Sequence, residues 1–183
     1  MSWRAIHALV AIALVFGLTA CTPPSGPVQG DSGLVYFVRE KVGGIFTDGT
    51  VQLTVKKGSG APVIDAVRSV DTSAGLQFLG AFAAGPDRKW GFNEMVNGFP
   101  PKRPGFGPLL PAVGATVTPG PLGTELLLGY KVVAPDYQAR GAVEVDYHIG
   151  SSHYTLKAQL GFANCPKGLS YSACSHRFTR ENW

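Results

Sequence analysis

The chain has 183 residues, 45% of them hydrophobic, and carries 16 Lys and Arg against 12 Asp and Glu, a formal charge of +4. That length accommodates a single domain with a sizeable core. The basic residues are scattered along the chain, which excludes the clustered, phosphate-neutralising footprint of a nucleic-acid-binding protein.

At the N-terminus, Arg4 precedes an uncharged apolar run over residues 8–18, and small residues stand before Cys21, the pattern of a secretory signal. The run is too short to span a bilayer, because about 20 apolar residues are needed to cross roughly 30 Å of hydrocarbon. Thr19, Cys21, Pro23 and Pro24 close it early. Leu18-Thr19-Ala20-Cys21 resembles the lipobox of bacterial lipoproteins. The resemblance implies that residues 1–20 are a cleaved signal peptide and that the Cys21 sulfur carries a diacylglyceryl group. It also implies an extracytoplasmic protein, lipid-anchored to the bacterial cell membrane. Two acyl chains suffice for a lasting anchor where one holds only marginally. That covalent lipid is the one attached group expected, with no further cofactor. Residues 21–33, rich in Pro and Gly and poor in apolar side chains, read as a flexible lipidated stalk.

Residues 34–183 read as a single domain of short apolar runs punctuated by Gly, Pro and Asp, with no 3.6-residue period. A first strand is expected near 34–39. Asp48-Gly49 then predicts a two-residue hairpin turn between 45–47 and 50–55, with Phe46 opposite Val51. Val51, Leu53 and Val55 alternate with Gln52, Thr54 and Lys56, so one face is apolar and the other wet. Strands near 62–70 and 75–83 follow. From about 84 to 111, Gly, Pro and aromatic residues crowd into a long loop. Trp90, Phe92, Phe99 and Phe106 in that loop are candidate partner contacts; the alternative is that their rings pack over an open end of the domain. Further strands are expected over 112–118, 124–134, 141–149 and 153–162. The last two form a hairpin across Gly150-Ser151, with Val143, Val145, Tyr147, Ile149, Tyr154, Leu156 and Ala158 sharing the inward face. About nine strands at this spacing predict an all-β antiparallel sandwich. The runs Leu126-Leu127-Leu128-Gly129-Tyr130 and 141–150 also resemble uncharacterised bacterial envelope proteins with Ig-like sandwiches, a likeness that names no activity.

With Cys21 taken up by lipid, Cys165 and Cys174 remain as an even pair in an oxidising compartment, and a disulfide between them is expected. Its short loop limits the stabilisation to about 2–3 kcal/mol. The C-terminal stretch from Cys165 to Trp183 mixes basic and aromatic residues and reads as a contact to a partner or the headgroup surface, or as a frayed terminus.

The hairpin register sets His148 opposite His153 on the polar face, with Asp146 two residues along and Thr155 beside it. Two imidazoles and a carboxylate there fall within metal-binding reach. Without the closed set of four ligands that structural zinc uses, an ordinary solvated face is the favoured reading, and no metal is expected. Enzyme signatures are absent: there is no GxSxG, HExxH, GxxxxGK[ST] or GxGxxG motif. Ser151, Ser152, His148, His153 and Asp146 include the residue types of a triad, but one hairpin face does not make an aligned base and an oxyanion hole. Glu144 and Asp146 share a strand face and read as solvated charges rather than an acid–base pair. The expected function is therefore a non-catalytic binding or envelope-accessory module. Its partners are the membrane, through the lipid, and an envelope protein, with no nucleic acid. The alternative is a small-ligand or metal carrier using a sandwich-end pocket or the His148 and His153 face, and a hydrolytic enzyme comes third.

Overall fold

A strand that alternates apolar and polar residues lays one face on a core and leaves the other in water, and two such sheets bury their apolar faces against each other. The computed structural model describes residues 26–31, 33–85, 87–88, 94–102 and 107–181. Within them lie eleven strands and one helix: β1 (Val28–Gly30), β2 (Leu34–Val38), β3 (Ile45–Val55), β4 (Val63–Thr72), β5 (Leu76–Ala84), β6 (Met95–Asn97), β7 (Leu109–Pro111), β8 (Thr124–Val132), β9 (Gln138–Ile149), β10 (Ser152–Ala158), β11 (Leu160–Asn164) and α1 (Tyr171–Arg180). One sheet runs β1-β3-β8-β5-β7, with β6 also paired to β3; the other runs β10-β9-β11-β2, with β4 also paired to β9. Phe46, Leu53, Leu126, Leu128 and Tyr130 of the first sheet meet Ile64, Val143, Val145, Tyr147 and Phe162 of the second in one buried core. The all-β sandwich read from the sequence is the fold. Among the described residues no helix is long and apolar enough to cross a membrane. The whole lipobox with Cys21, and the loop residues Trp90, Phe92 and Phe106, lie outside the described residues.

Several elements differ from expectation, each for a physical reason. Asp48-Gly49 is not a hairpin turn. β3 runs through it, Phe46 stands opposite Tyr130 rather than Val51, and the register shifts between Asp48 and Val51. Neither residue has a positive φ. The bulged stretch turns the Asp48 carboxylate into the core, where Arg140 Nη1 donates to Oδ2 at 2.6 Å. Thr50 donates to Oδ1 from its N–H at 2.9 Å and its hydroxyl at 2.7 Å. Arg140 also donates to the Tyr130 hydroxyl at 3.1 Å and to the Leu160 carbonyl at 2.6 Å. The guanidinium thus ties the two sheets together from the inside, lying 4.9 Å from the centre of the Phe162 ring.

Residues 28–30, read as stalk, form β1 and pair with β3, Val28 opposite Val55. Tyr147 supports them by accepting the Val28 N–H on its hydroxyl at 3.2 Å. The 84–111 region is not all loop, since β6 pairs with β3 and β7 with β5. Phe99 is half-buried, its ring 5.4 Å from that of Phe82, so this residue packs on the sandwich. Residues 112–118 form no continuous strand, meeting the start of β4 through an isolated bridge from Thr116 to Val63 and backbone hydrogen bonds of Gly114, Ala115 and Val117 to residues 62–64. The expected strand 153–162 is divided into β10 and β11, both paired with β9. Among the described residues, antiparallel pairing has one exception, β2 lying parallel to β11.

Residues 171–180 of the C-terminal segment are helical rather than frayed. Ser170 caps α1 by accepting the Ala173 N–H at 3.1 Å, while Arg177 and Arg180 in the last turn complement the helix dipole. Cys174 and Phe178, four residues apart on one side of α1, pack into a second buried cluster with Tyr137, Ala139, Ala163 and Cys165. Cys165 and Cys174 form the expected disulfide, with Cα atoms 6.0 Å apart. Gly161 is required beneath the helix, because a β-carbon there would run into the Phe178 ring.

Candidate functional site

The β9–β10 hairpin closes over Gly150 and Ser151, with φ of 58° at Gly150, a conformation that glycine adopts at no steric cost. That turn fixes Ile149 opposite Ser152 and His148 opposite His153, as the alternation of residues 143–149 requires. The two imidazoles project from the polar face with ring centres 5.7 Å apart.

The carboxylate between them comes from β4. Val63 and Ile64 pair with His148 and Tyr147, while Ala66 pairs with Asp146, so Asp65 is the extra residue of a bulge. A bulge re-aims a side chain without disturbing the strands on either side. Asp65 Oδ1 lies 2.7 Å from His148 Nδ1, and Oδ2 lies 3.5 Å from His153 Nδ1. One ligand-type atom from each of Asp65, His148 and His153 falls within 4.8 Å of the others.

Asp146, the carboxylate expected beside the histidines, belongs to a different set. Arg68 of β4 grips it with contacts of 2.5 and 3.0 Å and reaches Glu144 at 3.3 Å. The Thr155 hydroxyl donates to Asp146 at 2.7 Å. Donation from Arg68 holds the Asp146 carboxyl below its ordinary value, against the opposing effect of partial burial and with help from Thr155. Further along, Lys157 meets Asp71 at 2.9 Å. The outer face of β4, β9 and β10 is thus a row of paired charges. A cleft of about 460 Å³ opens on it, lined by Asp65, Arg68, Asp146, His153, Tyr154 and Thr155 among others. Tyr147 and Tyr154 stack beneath, 5.3 Å between ring centres.

Asp65 is the member that the sequence pattern missed. Its only local signature is an acidic residue breaking an otherwise apolar run, Val63-Ile64-Asp65-Ala66-Val67, which fits a bulge as well as a strand edge. The candidate serines Ser151 and Ser152 sit at the exposed hairpin tip, while both histidine Nδ1 atoms turn toward Asp65.

A second cavity of about 360 Å³ lies elsewhere, lined by Ala83, Arg88, Leu110, Thr116, Thr118 and Thr124 among others. Its one buried cation is committed to the protein. Arg88 Nε faces Glu125 at 2.8 Å, Nη1 donates to the carbonyls of Ala84, Gly85 and Gly123, and Nη2 donates to that of Leu122. The outer face therefore offers the stronger candidate site. No family model and no curated protein matches the chain, so its function is read from its residues alone.

Proposed function

We propose that the protein is a lipid-tethered, extracytoplasmic sandwich acting as a non-catalytic binding or envelope-accessory module, with the outer face of β4, β9 and β10 as its binding surface. The observation that most supports the binding part is the fixed array of polar groups there. Arg68, Glu144, Asp146 and Thr155 hold one another in place, and Asp65 lies between His148 and His153. Groups already held by neighbours lose little freedom when a ligand arrives. The extracytoplasmic address is supported by the Cys165–Cys174 bond, of a kind that persists in oxidising compartments. Leu18-Thr19-Ala20-Cys21 supports the tether. A tether raises the effective concentration of the face toward its neighbours in the envelope.

Photo-crosslinking in intact bacteria tests the face, and detergent-phase partitioning tests the tether. With a photo-reactive side chain at Lys157, on the charged face, illumination is expected to give a discrete envelope adduct; the same group at Lys167, beside the disulfide, is expected to give none. The wild-type chain should partition into detergent, and Cys21→Ser should leave the detergent phase. Equal adducts from both positions, or none from Lys157, would overturn the face; an unchanged, membrane-held Cys21→Ser protein would overturn the tether.

A further inference from the structure

The Asp65, His148 and His153 cluster carries an inference that depends neither on the tether nor on a protein partner. We propose that these three side chains form an open binding site for a divalent transition-metal ion of the zinc or copper class. Two imidazoles and one carboxylate are the donor chemistry that such ions favour, whereas calcium and magnesium take oxygen ligands.

The spacing fits. In a tetrahedral site with bonds of about 2.0–2.1 Å, ligand atoms stand about 3.4 Å apart. The two Asp65 oxygens lie 2.7 Å from His148 and 3.5 Å from His153, separations that straddle that distance, and one ligand atom from each of the three residues falls within 4.8 Å of the others. The backbone is already set, since the two-residue turn places the histidines opposite each other and the β4 bulge delivers the carboxylate. Only side-chain rotation is needed, and the His153 side chain, 74% exposed, is free to make it. The ion enters where hydrogen bonding now joins His148 to Asp65. Cys165 and Cys174 do not compete for it, being joined in the disulfide.

Three protein ligands leave the remaining coordination positions facing the cleft beside Arg68, Tyr154 and Thr155. That openness contrasts with the closed four-ligand sites that hold zinc for structure.

The test uses the untagged full-length chain in detergent micelles, titrated with Zn²⁺ by calorimetry and with Cu²⁺ by electron paramagnetic resonance. Saturable binding of one ion per chain is expected, with two nitrogens coupled to Cu²⁺. His153→Ala and Asp65→Asn should each weaken binding at least about tenfold, and His153→Ala should remove one nitrogen coupling. His176→Ala, on the exposed side of α1, should bind as the wild type does. Circular dichroism of each variant verifies that the sandwich is retained. The site is overturned by an absence of saturable binding at tens of micromolar ion, by unaltered binding in His153→Ala, or by binding that vanishes in Cys21→Ser. Ion binding by a protein that never enters detergent would leave this site standing and remove the tether; a lipidated protein that binds no ion would do the reverse.

Discussion

At the scale of single residues, the described part of the chain commits two ion pairs to its interior, Arg88 with Glu125 and Arg140 with Asp48, and the second joins the two sheets. The Asp48 and Arg140 side chains meet at 2.6 Å, each with 0% exposure, and the contact spans the two sheets. Removing one member of such a pair leaves an uncompensated buried charge, which typically costs about 3–5 kcal/mol. Asp48→Ala is therefore expected to lower the urea-unfolding free energy by that order. Lys157→Ala, which breaks an exposed pair, should cost less than about 1 kcal/mol. Equal losses in the two variants would count against a buried, inter-sheet role for Asp48. In sequence, Asp48-Gly49 carries the local chemistry of a tight turn, and nothing near it betrays the partner. What makes Asp48 a core residue is Arg140, which belongs to the other sheet. Asp65 was hidden for a similar reason, because whether an acidic residue in a run is paired or bulged depends on the strand beside it. His148 and His153 were legible because the turn that opposes them lies between them.

Elements were readable in proportion to how much of their cause is local. The β9–β10 hairpin has a period of two over residues 143–149 and a two-residue turn, and its register followed from these alone. Three-residue strands such as β1, β6 and β7 carry no period, and they exist because β3 and β5 offer edges to pair with. Helix α1 has only Cys174 and Phe178 as buried residues, too few to mark a face. Its position comes from the cap at Ser170, the disulfide, and the Phe178 ring set against Gly161 and edge-on to Phe37 at 6.5 Å. Replacing both Cys165 and Cys174 with serine should cost about 2–3 kcal/mol and loosen α1 before the sheets. Hydrogen exchange should show the loss of protection concentrated in Tyr171–Arg180. Exchange that rises equally throughout the sandwich would show that the disulfide serves the whole core.

For the molecule as a whole, alkaline stability is set partly where α1 meets the second sheet. Burial, followed by the nearby Glu181 charge, pushes the Tyr137 hydroxyl up to about 12, with Arg177 opposing. The folded state thus holds the Tyr137 proton more tightly than the unfolded chain, whose phenol titrates near 10.0. The corresponding stability is fully present below 10.0 and is lost as pH rises through about 12. Urea midpoints across that interval should fall less steeply in Tyr137→Phe than in the wild type. Parallel curves would show that other groups govern the alkaline limb.

The parallel pairing of β2 with β11 bears on how the molecule is made. Leu34 zips against Leu160 and Val38 against Asn164, so the second sheet cannot be completed until nearly the whole chain is available. Pairings between such distant segments carry a large loop-closure entropy and slow the approach to the native state. A nascent chain emerging N-terminus first exposes β2 early and must wait for β11 before that strand is paired. Assembly is therefore a late event. Until β11 arrives, β2 presents an unpaired strand edge that is open to wrong pairing and that a chaperone's cover would protect.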